Sequence, residues 1–157
     1  MGRVRCVALI HEQLHKSADL THVNFRDYLS NLTSNLFQTY GIESGAVKLK
    51  LDINERVSFT PDKAIPCGLI VNELVSNALR HAFVGDGKGT IHVELRQNAD
   101  RTTSLIVGDD GIGLPSRVDF RHTPSLGLQL VNTLVNQLGA TIDLTLKKGT
   151  MFTVTFA

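Results

Sequence analysis

The spacing of apolar and polar residues predicts helices and a strand in the first third of the chain. Apolar residues recur at intervals of three and four over 3–17 and again over 25–40, so each range is predicted to form a helix with one apolar face. Strict alternation over 46–53 predicts a strand with one solvated face. The segment 57–60 is predicted to be a short strand that pairs with it across a turn.

A long apolar pattern in the middle of the chain predicts a central helix from Pro61 to about Phe83. Thr60 is expected to be its N-cap, and Pro61 fits the first helical position, where a missing N–H costs nothing. Pro66 lies inside the pattern, so the first turn is expected to bend or to form a separate piece.

The remaining pattern predicts two pairs of strands separated by a helix. Strands are expected at 90–97, 103–109, 140–147 and 150–156, and a helix at 126–138 that Gly139 ends. Because the strands come as antiparallel pairs with helices between them, we expect an α/β sandwich in which helices cover one face of a sheet.

Composition is that of one globular domain. The chain has 157 residues, 42% of them hydrophobic, and a formal net charge of +1, which gives no general electrostatic argument for binding nucleic acid. No apolar run is long enough to span a membrane, and the N-terminus has no apolar signal core. Cys6 and Cys67 lack metal-ligand spacing and are expected to be buried in a reducing, cytoplasmic environment.

Four polar residues lie on one stripe of the predicted central helix: Glu73, Asn77, Arg80 and His81. Each polar group that leaves water needs a partner, so a helix that faces the core rarely collects such a set. The stripe alone indicates either a functional surface or an ordinary solvated face.

Three glycine-containing stretches follow the central helix. Residues 109–113, Asp-Asp-Gly-Ile-Gly, place a carboxylate at a strand end, where it can accept from an exocyclic amine, and glycines that let backbone approach a flat ligand. Gly127 lies at a helix start, where free N–H groups favour phosphate. Gly149 and Thr150 begin the last strand. Taken alone, the first stretch is a tight turn as often as a binding site, the second is more typical of a simple helix break, and the third is typical of an ordinary hairpin.

In this order and separation, the four stretches resemble the N box and the three glycine boxes of the Bergerat-type ATP-binding domain. Histidine kinases, DNA gyrase B subunits, MutL proteins and the ninety-kilodalton heat-shock chaperones share this domain. The resemblance covers about residues 22–157 and implies a two-layer sandwich with a mixed, mostly antiparallel sheet.

Within that superfamily the chain is most similar to sensor histidine kinases allied to the HWE kinases. The similarity rests on the amino-acid sequence of residues 72–83 and on His11-Glu12-Gln13-Leu14. The latter matches a sequence that those kinases carry on the helix before the ATPase domain. The chain has no tryptophan, so it departs from the HWE kinases in the strict sense.

The resemblance implies a role for each matching residue. Glu73 would orient or deprotonate the nucleophile, Asn77 would coordinate Mg²⁺, and Asp110 would accept from the adenine amine. Arg80 and His81 would contact phosphates or ribose. The full set of implied nucleotide-binding residues is Asn77, Arg80, His81, Asp110, Gly111, Gly113, Leu126, Gly127, Leu128 and Thr150.

The resemblance also divides the chain. Residues 1–18 would be the second helix of a truncated dimerisation hairpin, and 19–157 the catalytic domain. His11 is the candidate phosphoacceptor on that helix because a glutamate follows it, but we expect it to be a seam residue and the acceptor to lie upstream.

The implied function is transfer of the γ-phosphoryl group of Mg-ATP to a histidine, for relay to the receiver domain of a response regulator, in a homodimeric protein. Two alternatives remain open: a protein serine kinase of the anti-sigma-factor type, and a nucleotide-binding module without catalysis.

Overall fold

The computed structural model describes residues 24–39, 47–54, 57, 59–82 (without the side chains of 81 and 82), 88–112, 126–146 and 149–156. Its helices are α1 (Phe25–Thr39), α2 (Pro61–Asn77), which continues as a π-helical turn (Ala78–Ala82), and α3 (Leu126–Gln137). Its strands are β1 (Val47–Ile53), β2 (Gly89–Gln97), β3 (Thr103–Asp109), β4 (Thr141–Thr145) and β5 (Thr150–Phe156).

The strands form one five-stranded sheet in the order β1-β2-β3-β5-β4. The β2–β3, β3–β5 and β4–β5 pairs are antiparallel, whereas β1 and β2 are parallel. The parallel pair follows from the connection, because α2 lies between β1 and β2 and returns the chain to the end at which β1 began. The predicted α/β sandwich with a mixed, mostly antiparallel sheet is confirmed.

The predicted pairing of 46–53 with 57–60 is wrong. Among the described residues of 57–60, only Phe59 forms an isolated bridge, and β1 instead lies beside β2 along its whole length. The Phe59 ring is buried, with its centroid 4.8 Å from that of Phe25 and 5.8 Å from that of Phe156. Burial of this ring in the core takes the place of a second strand.

The central helix runs through Pro66 without dividing, so of the two predicted alternatives, a bend or a separate first piece, the separate piece is wrong. Proline removes only the bond to the carbonyl of Asp62, which lies in the exposed first turn and can be solvated. Thr60 occupies the N-cap position, but its hydroxyl donates to the Asp62 carboxylate rather than capping the backbone.

The other predicted elements that fall within the described residues are confirmed within a few residues. In β1 the side chains of Lys48, Lys50 and Asp52 are exposed while Val47 and Ile53 are buried. Helix α3 ends as predicted: Gly139 has a φ of 66°, and Ala140 N–H donates to the Val135 carbonyl at 2.9 Å.

The core lies between the helices and one face of the sheet. Leu105 and Val107 of β3 belong to this core, together with residues of β2, β5 and all three described helices. Because Leu105 and Val107 alternate with Ile106, which lies outside this core cluster, the odd-numbered residues of β3 face the helices.

The packing also fixes which ends of the elements meet. Helix α2 begins next to Phe59, whose ring contacts Phe156, and Phe156 pairs with Thr103 at the start of β3. Since α2 packs on β3 and both start at this end, both finish at the opposite end. Asn77 and Asp109 therefore lie at the same end of the sandwich.

The predicted helix over 3–17 and the helix-ending Gly41 lie outside the described residues. Among the described residues, no helix combines the length and apolar character that crossing a bilayer requires.

Candidate functional site

The side chain of Glu73, on the central helix α2, lies against the first turn of α3. Its side chain is 5% exposed, and a Cβ added to Gly127 would lie 2.8 Å from Glu73 Oε2. Only a residue without a side chain lets the first turn of α3 approach the carboxylate this closely. A negative charge is favourable there because the N-terminus of a helix carries partial positive charge. The structure thus brings together two predicted site residues from the N box and the second glycine stretch.

Asn77 and Arg80 contact each other where α2 changes into the π-helical turn. Arg80 Nη2 donates to Asn77 Oδ1 at 2.8 Å, and Arg80 Nε donates to the Ser76 carbonyl at 3.4 Å. The Arg80 side chain is exposed and Asn77 is half-buried. Single π-helical turns inside α-helices frequently occur at functional sites.

Asp109 is the carboxylate that faces the helices at the end of β3. It is half-buried, pairs with Ile91 on one side and Thr150 on the other, and accepts from Gly111 N–H at 2.9 Å. Burial raises the pKa of this carboxyl group above its usual value, and the charge of Asp110 adds to the effect. The backbone N–H groups of Gly111 and Thr150 oppose the rise.

Asp110, which the sequence predicted for the adenine contact, makes a different contact. It is exposed, its Oδ1 accepts from Thr90 N–H at 2.8 Å, and its own N–H donates to the Thr90 carbonyl at 3.3 Å. These bonds fasten the end of β3 to the start of β2. The geometry therefore favours Asp109 over Asp110 as the carboxylate that faces a ligand. The signal in the sequence was the alternation of Leu105, Val107 and Asp109.

The third glycine stretch packs directly against the first. Gly149 has a φ of 108°, a region that side chains disfavour, and a Cβ there would lie 2.1 Å from the Asp109 carbonyl oxygen. The next residue, Thr150, is buried and pairs with Asp109. The two stretches therefore form one corner at the end of the sheet.

The other predicted site residues divide into three groups. Leu128 is 5% exposed and belongs to the core, so its side chain supports α3, whereas Leu126 is 68% exposed. Gly111 contributes its N–H to the Asp109 corner. Gly113, the His81 side chain and His11 lie outside the described residues.

One buried polar atom was not anticipated. Asn72 is 3% exposed, and its Oδ1 has no hydrogen-bond partner in the described part of the chain. An apolar helical pattern gives no signal for such an atom, because the sequence shows the residue type but not its surroundings.

The donor set fits Mg²⁺ together with a nucleotide better than Mg²⁺ alone. Within the described ranges, no three His, Cys, Asp or Glu side chains are grouped to hold a metal ion. Mg²⁺ commonly takes one or two protein oxygens and completes its shell with phosphates and water. Asn77 Oδ1 is such an oxygen, and it lies at the same end as the Asp109 corner.

Two family models match the chain. Residues 62–157 match the histidine kinase-, DNA gyrase B- and HSP90-like ATPase model, and residues 1–40 match a histidine kinase model. The first match contains every described residue of the site.

Curated relatives are sensor kinases. The chain is 30% identical over 137 residues to the sensor histidine kinase PdtaS of Mycobacterium tuberculosis, covering 85% of this chain and 26% of the relative. It is also 30% identical over 118 residues to blue-light-activated histidine kinase 2 of Erythrobacter litoralis, covering 75% and 33%. The chain thus spans between a quarter and a third of these proteins.

Solved structures share the fold. A histidine kinase domain from a blue-light-activated kinase of Erythrobacter litoralis superposes with a TM-score of 0.85 at 27% identity, covering 99% of this chain and 72% of that one. The histidine kinase AdeS of Acinetobacter baumannii gives a TM-score of 0.66 at 17% identity, covering 99% and 75%, and shows the fold alone. Because the ATPase model matches more than half of its length and the fold agrees, this chain belongs to the histidine kinase-, DNA gyrase B- and HSP90-like ATPases.

Proposed function

We propose that this chain binds Mg-ATP at the end of the sandwich where α2 and β3 finish, and directs the γ-phosphoryl group to a histidine. The observation that carries the proposal is the position of Asp109. Its half-buried carboxylate faces the helices beside Gly111 and Thr150, at the end that also holds Glu73 and Asn77. A carboxylate in a partly desolvated corner is suited to accept from the exocyclic amine of adenine.

The phosphates would then extend from the Asp109 corner towards α2 and α3. Backbone N–H groups in the first turn of α3, at Gly127, would bind them, since a helix N-terminus favours anions. Arg80 is exposed and always charged, so it can reach a phosphate oxygen. Asn77 would hold Mg²⁺, which supplies neutralisation of the charge on the phosphates.

Glu73 would act on the incoming nucleophile. It is held against Gly127, next to the proposed phosphate position, and a buried carboxylate there can orient an imidazole or accept its proton. Phosphoryl transfer requires mainly positioning and charge neutralisation, which these residues provide without forming a covalent bond to the chain.

The acceptor histidine and the partners are part of the proposal. The match of residues 1–40 to a histidine kinase model supports a histidine acceptor over a serine acceptor. We infer that the acceptor lies upstream of His11 in a homodimeric protein, and that the phosphoryl group passes to the receiver domain of a response regulator. The sensor histidine kinases that the chain resembles support this inference.

The test is autophosphorylation of the whole protein with γ-labelled ATP and Mg²⁺. We expect a product that is labile in acid and stable in base, that forms in the His11→Gln variant, and that disappears in Asn77→Ala. An acid-stable, base-labile product would support the serine-kinase alternative instead. ATP binding without any labelled product would support the non-catalytic module.

A further inference from the structure

The Asp110 side chain replaces a main-chain acceptor where β3 leaves the sheet. In an antiparallel hydrogen-bonded pair, two facing residues exchange two main-chain bonds. The ladder between β2 and β3 ends at the pair of Ile91 with Asp109, and beyond it Asp110 N–H donates to the Thr90 carbonyl at 3.3 Å. The Thr90 N–H donates in return to Asp110 Oδ1, at 2.8 Å. The carboxylate therefore takes the place that the carbonyl of residue 110 would have in a longer strand.

This replacement lets the main chain bend directly after Asp109. Residues 110–112 form a bend instead of a continued strand. The bend brings Gly111 N–H to Asp109 Oδ1, at 2.9 Å, as in turns where an aspartate accepts from the N–H two residues on. In an extended strand that N–H would lie about 7 Å further along, beyond the reach of the side chain. The orientation of the Asp109 carboxylate thus depends on the bend at Asp110.

The last strand holds the bend from its other side. A Cβ added to Gly149 would lie 2.9 Å from the Asp109 carbonyl carbon and equally close to Asp110 Cα, so the two stretches are in close main-chain contact. On the β2 side, the bonds to Thr90 hold it. Loss of the side-chain bond to Thr90 would free the bend on that side, and the Asp109 carboxylate would move with it.

The role of Asp110 comes from its oxygen and not from its charge. Asp110 is exposed, so its truncation leaves no cavity in the core. Its charge adds to the rise that burial causes in the pKa of Asp109, an effect that a neutral residue at 110 would remove. An asparagine has an acceptor oxygen at the same position, so it keeps the bond to Thr90 without the charge.

We propose that Asp110 is a positioning residue for adenine recognition: by accepting from Thr90 N–H, it holds the bend that aims the Asp109 carboxylate at the exocyclic amine. Asp110 thereby sets the preference of the site for adenine over a base without that amine. This inference rests on the proposed function, because it needs Asp109 to accept from the amine.

The experiment compares ATP with purine riboside triphosphate, which has the same sugar and phosphates but no exocyclic amine. The affinity for each nucleotide, with Mg²⁺, is measured by calorimetry for the wild-type chain, Asp110→Ala and Asp110→Asn. Wild type should prefer ATP. Asp110→Ala should lower the affinity for ATP about fivefold and leave that for purine riboside triphosphate within about twofold, because only the contact to the amine is misaligned. Asp110→Asn should restore the preference.

Asp100→Ala is the matched control. Asp100 is also exposed and accepts from a main-chain N–H, that of Thr102 at 3.0 Å, in the hairpin at the other end of β2 and β3. Its replacement removes the same kind of bond from the same pair of strands, and the preference for ATP should stay that of wild type.

Equal losses for both nucleotides in Asp110→Ala, which a general distortion of the pocket would cause, would overturn the proposal. So would a preference for ATP that Asp110→Ala keeps or that Asp110→Asn fails to restore. In these cases the wild-type chain still binds and prefers ATP, so the proposed function stands. If the wild-type chain binds no ATP, or binds both nucleotides equally, the contact of Asp109 with adenine is itself wrong.

Discussion

Replacement of Gly127 by alanine should separate stability from phosphoryl transfer. The added Cβ would lie 2.8 Å from Glu73 Oε2, whereas non-bonded heavy atoms prefer a separation of about 3.5 Å. The carboxylate oxygen must therefore move by about 0.7 Å, and it can do so because it is the far end of a flexible side chain.

We expect Gly127→Ala to lower the rate of autophosphorylation without lowering the melting temperature. Alanine in place of glycine near a helix start reduces the entropy of the unfolded chain, worth up to about 1 kcal/mol, so the melting temperature should stay equal or rise. A misplacement of about 1 Å in a catalytic group can cost roughly a hundredfold in rate. We therefore expect autophosphorylation to fall at least tenfold.

The assay combines thermal unfolding, ATP titration and autophosphorylation of the whole protein. Gly108→Ala is the control for thermal unfolding, because its Cβ would meet the Met151 side chain and the Thr150 carbonyl oxygen at 3.4 Å, with no contact to Glu73. A double-mutant cycle with Glu73→Asp tests whether the contact causes the loss. Aspartate is one methylene shorter, so in its presence Gly127→Ala should lower the autophosphorylation rate little further. Additive losses in the cycle, or an unchanged autophosphorylation rate in Gly127→Ala, would refute the contact as the cause.

Three further predictions concern the corner of the site and the core. Because the pKa of Asp109 is raised in the folded state, its ionised form destabilises the fold. The free energy of unfolding of Asp109→Asn in urea, relative to wild type, should therefore increase as pH rises through that pKa. A decrease over the same pH range would contradict this. Gly149→Ala should lower the free energy of unfolding in urea by about 3 kcal/mol, whereas Gly139→Ala, whose Cβ would meet open space, should lower it by about 1 kcal/mol. Equal losses would contradict the close approach of Gly149 to the Asp109 carbonyl. Burial raises the pKa of Cys67 to about 12, so in a Cys6→Ser variant this thiol should resist alkylation at pH 8 until the chain unfolds, and rapid alkylation of the folded chain would contradict its burial.

Most elements could be predicted because their apolar patterns are local. The alternation in β1 and the three-four spacing in α1 directly reflect which side chains are buried. The parallel pairing of β1 with β2 could not be predicted, because it depends on the path of α2 and on the burial of Phe59 rather than on either strand's own pattern.

The site could be predicted as a set of residues but not as a set of contacts. The resemblance placed Glu73 and Gly127 in one site, and the structure brings them together. It assigned the adenine contact to Asp110, although the geometry favours its neighbour Asp109. The side-chain alternation of β3 distinguishes the two carboxylates, and that required knowing where the strand ends. The bond between Arg80 and Asn77 lies where α2 changes into a π-helical turn, and the sequence pattern did not predict that turn.

The proposed nucleotide site is tested most directly by calorimetry of ATP binding with Mg²⁺, for the wild-type chain, Asp109→Asn and Asp110→Asn. We predict that the wild-type chain binds ATP, that Asp109→Asn loses at least tenfold in affinity because the acceptor for the adenine amine is weakened, and that Asp110→Asn stays within about threefold. Absence of ATP binding by the wild-type chain would contradict the nucleotide site. A large loss in Asp110→Asn with full binding in Asp109→Asn would contradict the assignment of the facing carboxylate.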